Sequence, residues 1–108
     1  MNSEKAKILF DRINLTKHIK LKNELFNVAI RYARIRTDWY FMDDEEKRAS
    51  DEMRSRTHNS LIDNFNILSR EMLKAGEDIS WRIHLGDNRK EIGDFACHIH
   101  NFLGLDSR

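Results

Sequence analysis

The sequence predicts an all-α fold, and three features indicate it. The 108 residues include no proline and only four glycines, so the two residues that most often interrupt regular structure are scarce. Apolar residues recur at spacings of three and four, which is the period of an amphipathic helix. Charged residues make up 34% of the chain with both signs interspersed, as in helices with long solvated faces. We therefore expect one helical domain over residues 1–108, a bundle of about four helices.

The first two helices are predicted from caps and apolar stripes. Ser3 is a suitable N-cap for a helix over residues 4–14, and Thr16 is a candidate N-cap after a break. A heptad pattern then runs from Leu21 to Met42. Its apolar stripe is wider than a two-stranded coiled coil needs, which indicates a bundle helix with more than one neighbour.

A third helix is predicted over residues 44–75. Asp43 and Glu46 are spaced as in a capping box, and Gly76 fits the position after the C-cap. The connection to the second helix is very short, which predicts a long antiparallel hairpin. A helix of this length would be about 48 Å long, so we expect either a kink near Thr57 or an extension into a partner.

Glycines delimit the elements of the C-terminal third. We expect Asp78 to cap a short turn that ends at Gly86, and Asp87 to cap the last helix. Gly104 followed by Leu105 fits a Schellman ending of that helix.

Several large side chains are candidates for the core or for a contact between copies. The wide stripe of the second helix and the length of the third predict a homodimer. The leading functional hypothesis is therefore a non-enzymatic interaction or regulatory module that acts through a helical dimer. The residues expected in the core or at this contact are Tyr32, Trp39, Met42, Met53 and Trp81.

A set of polar residues is expected to join the last helix to the third. Arg82 or Arg89 could pair with Asp63 or Asp94, and we favour this structural role over ligand binding. The predicted polar cluster consists of Arg56, Asn59, Asp63, Arg82, Arg89, Asp94 and His98.

Arg54 and His58 are the candidates for catalysis, although the main prediction is that no residue is catalytic. A histidine beside arginines on a helix resembles the HEPN ribonucleases, four-helix dimers whose motif is an arginine, a polar residue, several further residues and a histidine. The spacing departs from that motif, because three residues separate Arg54 from His58 and the family has four to six. The resemblance implies that Arg54 stabilises transition-state charge and that His58 transfers a proton.

Charge is unevenly distributed along the chain. Residues 1–36 contain nine Lys or Arg and three Asp or Glu, whereas residues 37–108 contain ten and fifteen. A basic first third can mark a nucleic-acid-binding surface, so a nucleic-acid-binding protein or a HEPN-like ribonuclease is the alternative hypothesis. Packing of the basic third against acidic helices, of the same fold or of a second copy, explains the same pattern and is favoured.

No cofactor or metal signature is present, and none is expected to bind. His98 and His100 are two residues apart, so on a helix they point in nearly opposite directions and are poorly placed to chelate one ion. The single cysteine, Cys97, excludes a disulfide within the chain. No stretch approaches the roughly 18 apolar residues that span a bilayer, and we expect a cytoplasmic protein without membrane contact.

Two segments carry a second resemblance. HNSLID at residues 58–63 and IGDFA at residues 92–96 resemble a family of small bacterial all-helical proteins of unknown function. The resemblance covers roughly the C-terminal half of the chain. It implies a bacterial origin and supplies no activity, ligand or partner.

Overall fold

Five α-helices build the protein in a computed structural model that describes residues 1–104. They are α1 (Ser3–Asn14), α2 (Ile19–Tyr40), α3 (Asp44–Lys74), α4 (Ser80–Leu85) and α5 (Arg89–Phe102). The prediction of an all-helical chain is confirmed for these residues. The count is one higher than expected because the predicted short turn before Gly86 is the helix α4. Within the same residues, no helix combines the length and hydrophobicity needed to cross a bilayer.

Two of the predicted N-caps are displaced by one residue. Asn2, rather than Ser3, accepts a hydrogen bond from the backbone N–H three residues on, at 2.8 Å. Asn88, rather than Asp87, does the same at the start of α5, at 3.0 Å. Both asparagines lie in extended backbone directly before the helix, which is the conformation that an N-cap requires.

The break between α1 and α2 lies where it was predicted, but Thr16 is not the N-cap of α2. That helix begins at Ile19, and His18 occupies the cap position. The Thr16 hydroxyl accepts a hydrogen bond from the His18 backbone N–H at 3.1 Å, so Thr16 stabilises the connection rather than the helix end.

The third helix is continuous from Asp44 to Lys74. It begins with the predicted capping box between Asp43 and Glu46. Thr57 does not interrupt it, and the Thr57 hydroxyl donates to the Met53 carbonyl oxygen one turn earlier, at 2.9 Å. Gly76 follows the helix with a φ of 78°, a left-handed conformation that glycine adopts at little cost.

The predicted ends of the C-terminal elements are confirmed in part. Ile79, rather than Asp78, occupies the N-cap position of α4, although Asp78 accepts a hydrogen bond from the backbone N–H of Ser80 at 3.0 Å. Gly86 ends α4 as predicted. Gly104 follows the end of α5 with a φ of 70°. The Schellman contact predicted for Leu105 lies outside the described residues.

The core lies between α2, α3 and α5, and α1 and α4 pack along its side. Phe65 stacks on Phe95 with ring centroids 5.7 Å apart. Its ring also packs against Trp81 of α4, with a centroid distance of 6.2 Å. Burial of these apolar side chains is the main favourable term in folding. The largest fully buried side chains are Trp81, Phe65, Phe95, Ile13, Leu25, Leu61, Leu68, Ile92 and Ile99.

Replacement of Asp43 by alanine should lower the free energy of unfolding by about 1 kcal/mol. The change removes the acceptor that lies 2.8 Å from the Glu46 backbone nitrogen, and urea denaturation followed by circular dichroism measures the loss. Asp44→Ala is the matched control, because Asp44 is a carboxylate at the same helix end but is the first helical residue rather than the cap. Equal losses in the two variants would contradict the capping role.

Candidate functional site

Seven side chains from three helices surround a polar cleft of about 240 Å³, which we call the cationic cleft. Two come from α2, three from α3 and two from the first turn of α5. None of the seven is a carboxylate, so the lining is strongly positive. The residues are Tyr32, Arg36, Arg54, Ser55, His58, Arg89 and Lys90.

Helical spacing explains how the α2 and α3 residues meet. Tyr32 and Arg36 are four apart on α2, and Arg54 and His58 are four apart on α3, so each pair shares one helix face. The Tyr32 ring packs edge-on against the His58 ring with a centroid distance of 5.0 Å. This contact brings the two faces together and places both pairs beside the same cleft.

A hydrogen bond from His58 connects α3 to the start of α5. His58 Nε2 lies 2.9 Å from the backbone oxygen of Arg89. Because a carbonyl oxygen can only accept, Nε2 carries the proton and donates it to this bond. Nδ1 of a neutral imidazole then keeps its lone pair, and this buried atom has no hydrogen-bond partner among residues 1–104.

The surroundings of His58 disfavour its charged form. Burial lowers the pKa of His58 below its usual value, and the positive charges of the neighbouring arginines lower it further. The hydrogen bond to the Arg89 carbonyl opposes this effect but does not reverse it. The imidazole is therefore neutral at neutral pH, although it lies among four cationic side chains.

Asp94 compensates part of the positive charge. Its Oδ1 lies 2.7 Å from Arg36 Nη2, and its Oδ2 lies 3.3 Å from Lys90 Nζ. Burial alone would raise the pKa of Asp94, but the hydrogen bonds from Arg36, the N-terminal amine and Lys90, together with the charge of Arg36, outweigh burial and the pKa is lowered. Asp94 is therefore ionised at neutral pH, and one carboxylate serves two of the four cations.

The other two cations have no such compensation. Arg54 and Arg89 form no ion pair with a carboxylate in the described part of the chain. The Arg54 guanidinium lies 4.7 Å from the centroid of the Trp39 ring, and its buried Nε has no hydrogen-bond partner there. Arg89 donates to the neutral side chain of Asn59 at 3.2 Å. Two full positive charges therefore remain at the cleft.

A glycine permits the close approach of α5 to α2 beside the cleft. A Cβ atom at Gly93 would lie 3.1 Å from Tyr32 Oη and 3.2 Å from Arg36 Nη1. Both distances are shorter than ordinary van der Waals contact. A side chain at this position would therefore displace two residues that line the cationic cleft.

The residues predicted for the core or the dimer contact differ in how much of their surface is exposed. Tyr32 and Trp81 are buried, with 3% and 1% of their surface exposed. Trp39 and Met42 are half-buried near the α2–α3 connection, and Met53 is 53% exposed. Met53 is therefore the member of this set with the most surface left for a contact.

Arg82 does not pair with Asp63 or Asp94 as the sequence suggested. Its Nη2 lies 3.0 Å from Asp87 Oδ1, and its Nη1 donates to the Gly86 carbonyl oxygen at 2.8 Å. Its Nε donates to Asn66 Oδ1 of α3 at 3.0 Å, so Arg82 joins α4 to α3 as well as to the residues that directly follow α4. Asp63 is exposed on α3.

The other members of the predicted polar cluster lie in different places. Asn59 and Asp94 each bond to an arginine of the cationic cleft. His98 Nε2 lies 3.1 Å from the backbone oxygen of Met1. Arg56 forms an ion pair with the residue four positions before it, on the exposed face of α3. The residues of the predicted polar cluster therefore do not lie together but take part in several separate contacts.

The two residues proposed for catalysis, Arg54 and His58, do meet in one cleft. Ser55, Arg36 and Lys90 complete the lining and were not among the predicted site residues. Arg36 was predictable from its spacing, because it lies one helical turn after Tyr32 and therefore on the same face of α2. Ribonuclease activity itself stays a prediction.

Neither metal ligands nor relatives identify a function. Within residues 1–104, no three His, Cys, Asp or Glu side chains come close enough together to hold a metal ion. Comparisons with protein-family models, curated proteins and solved structures found no match. The geometry of the cleft is therefore the basis for a functional proposal.

Lowering the pH from about 7.5 to about 5 should destabilise the wild-type protein more than His58→Gln. The pKa of His58 is lower in the folded than in the unfolded chain, so the unfolded chain binds the proton first. The contribution of neutral His58 to the free energy of unfolding is fully present above about pH 6.5. It is lost as the pH falls towards the pKa of His58 in the folded chain. Urea unfolding at each pH measures the free energy of unfolding of both proteins. The same pH dependence in wild-type protein and His58→Gln would contradict this role of His58.

Proposed function

We propose that this protein binds a phosphate group of a nucleic acid in the cationic cleft. One observation carries the proposal: the cleft lining holds no carboxylate, and Arg54 and Arg89 have no ion-pair partner among residues 1–104. A guanidinium offers several N–H donors in a planar fork that matches phosphate oxygens. A bound phosphate would supply the missing negative charge.

The charge of the N-terminal third supports a polyanion over a single small anion. Residues 1–36 contain nine Lys or Arg against three Asp or Glu, and most of these cations are exposed. Arg36 belongs to this segment and reaches the cleft. A nucleic acid gains from such distributed charge through long-range attraction and counterion release, whereas a single phosphate ion gains little from charges beyond the cleft.

Arg54→Ala and Arg89→Ala should each weaken the binding of single-stranded RNA about tenfold, because each removes a charged hydrogen-bond donor from the cleft. Fluorescence anisotropy of a labelled 12-mer at low salt measures the affinity. The salt dependence should also become shallower, by about one unit of slope for each lost phosphate contact. Arg56→Ala is the matched control, since Arg56 lies on the same helix, pairs with Glu52 and does not line the cleft.

Two results would contradict this proposal: no RNA binding by the wild-type protein at low salt, or an equal loss of affinity in Arg56→Ala. RNA recovered from the same samples is then run on a denaturing gel. Intact RNA would indicate binding alone. Shortened RNA that is absent with His58→Ala would support the ribonuclease hypothesis, in which the unpaired Nδ1 of His58 accepts a proton.

We further infer that α2 and α3 form the long antiparallel hairpin that the sequence predicts. A connection of three residues, 41–43, joins the two helices. Two side-chain contacts between the helices pair earlier residues of α2 with later residues of α3, as in an antiparallel hairpin. The Arg54 guanidinium lies 4.7 Å from the Trp39 ring centroid, and the ring centroids of Tyr32 and His58 are 5.0 Å apart. Met42, in the connection, lies with its sulfur 3.3 Å from the Ser50 hydroxyl of α3.

We also propose that the protein is a homodimer, and exposed apolar side chains support this. Ile8, Leu15, Leu73 and Ile83 are each more than half exposed, as is Met53 from the predicted contact set. Burial against a second copy would gain about 25 cal/mol per Å² of apolar surface. Light scattering on a size-exclusion column should give twice the chain mass of 12.9 kDa, and a mass near that of one chain would contradict the dimer. A regulatory role for it stays a prediction.

A further inference from the structure

The connection between α2 and α3 presents two aromatic side chains to solvent. Tyr40 is 64% exposed and Phe41 is 85% exposed. They are the last residue of α2 and the residue that follows it, and we call them the aromatic tip. Adjacent exposed aromatic rings offer faces on which a flat ligand group can stack.

The aromatic tip adjoins the cationic cleft through two routes. The Trp39 ring contacts Tyr40 edge-on at a centroid distance of 5.9 Å, and the Arg54 guanidinium of the cleft lies 4.7 Å from the same ring. Tyr40 also shares a shallow depression with Arg36, another residue of the cleft. A ligand whose anionic group lies in the cleft can therefore also contact Tyr40 at the tip.

This combination of features fits one class of ligand. A single-stranded nucleic acid carries anionic phosphates beside flat bases, and base-on-aromatic stacking is the usual means by which proteins bind it without reading sequence. In a duplex the base faces are already stacked on one another, so a duplex offers phosphates to the cleft but no ring face to the tip.

Acidic residues follow the tip in sequence. Asp44, Glu45 and Glu46 form the first turn of α3 and are exposed. They repel the phosphates of a single strand, of a duplex and of an anionic membrane surface alike. A neutral base is not repelled, so the charges favour phosphate at the arginines and base at the tip.

We infer that the nucleic acid is single-stranded and that Tyr40 and Phe41 stack on bases next to the phosphate in the cationic cleft. The inference rests on the proposed phosphate binding and adds the strandedness of the ligand and the residues that select it. It assigns no sequence preference, because every base has a face that can stack.

The test compares wild-type protein with the double variant Tyr40→Ala/Phe41→Ala, using a labelled 12-mer in anisotropy. The variant should bind single-stranded RNA about fivefold or more weakly for each lost stack, with an unchanged salt slope because no phosphate contact is lost. Its affinity for an abasic 12-mer should equal that of the wild-type. The exchange Tyr40→Phe/Phe41→Tyr should retain binding. Ile19→Ala, which removes an exposed apolar side chain at the opposite end of α2 from the tip, should have no effect.

The outcomes separate this inference from the proposed function. If the wild-type binds no RNA, phosphate binding fails and the inference fails with it. If Arg54→Ala weakens binding but the tip variant does not, or a duplex of the same sequence binds as tightly, the inference alone is wrong. A change in the solution mass of the tip variant would also overturn it, because the tip would then be a contact between copies.

Discussion

The packing of α2 against both α3 and α5 is the constraint on which the cationic cleft depends. The face of α2 that carries Tyr32 and Arg36 meets α3 at the His58 ring and meets α5 at Gly93. The hydrogen bond from His58 to the Arg89 carbonyl then fixes the start of α5 against α3. Polar side chains from three separate parts of the sequence are thereby held around one space, and most of that arrangement is a consequence of core packing.

The electrostatics of the cleft are unfavourable for folding. Asp94 is shared by Arg36, Lys90 and the N-terminal amine, while Arg54 and Arg89 lack a counter-charge in the described chain. The neutral imidazole of His58, whose buried Nδ1 has no hydrogen-bond partner among residues 1–104, adds a further cost. Local arrangements that oppose stability are most often found where a protein binds or reacts. A bound phosphate would offset the repulsion, and stacked bases would cover the nearby aromatic rings.

Local features were predictable and long-range partners were not. The capping box at Asp43 and the end of α4 at Gly86 depend on residues close in sequence, and both predictions are confirmed. Caps were misplaced by one residue where two capable residues adjoin, as at Asn2 and Ser3, because either can accept the bond. The periodicity of α3 put Arg54 and His58 together on one face. That Arg54 and His58 lie beside residues of α2 and α5 depends on how the helices pack, which periodicity alone does not determine.

The most direct test of phosphate binding at the cleft is NMR on protein with ¹⁵N-labelled arginine, titrated with inorganic pyrophosphate at low salt. Binding in the cleft predicts saturable shifts of the Arg54 and Arg89 Nε–H resonances and no comparable shift of Arg56, which lies outside it. Equal shifts at all three arginines would indicate non-specific charge attraction. No saturable shift at Arg54 and Arg89 would contradict a phosphate site at this position.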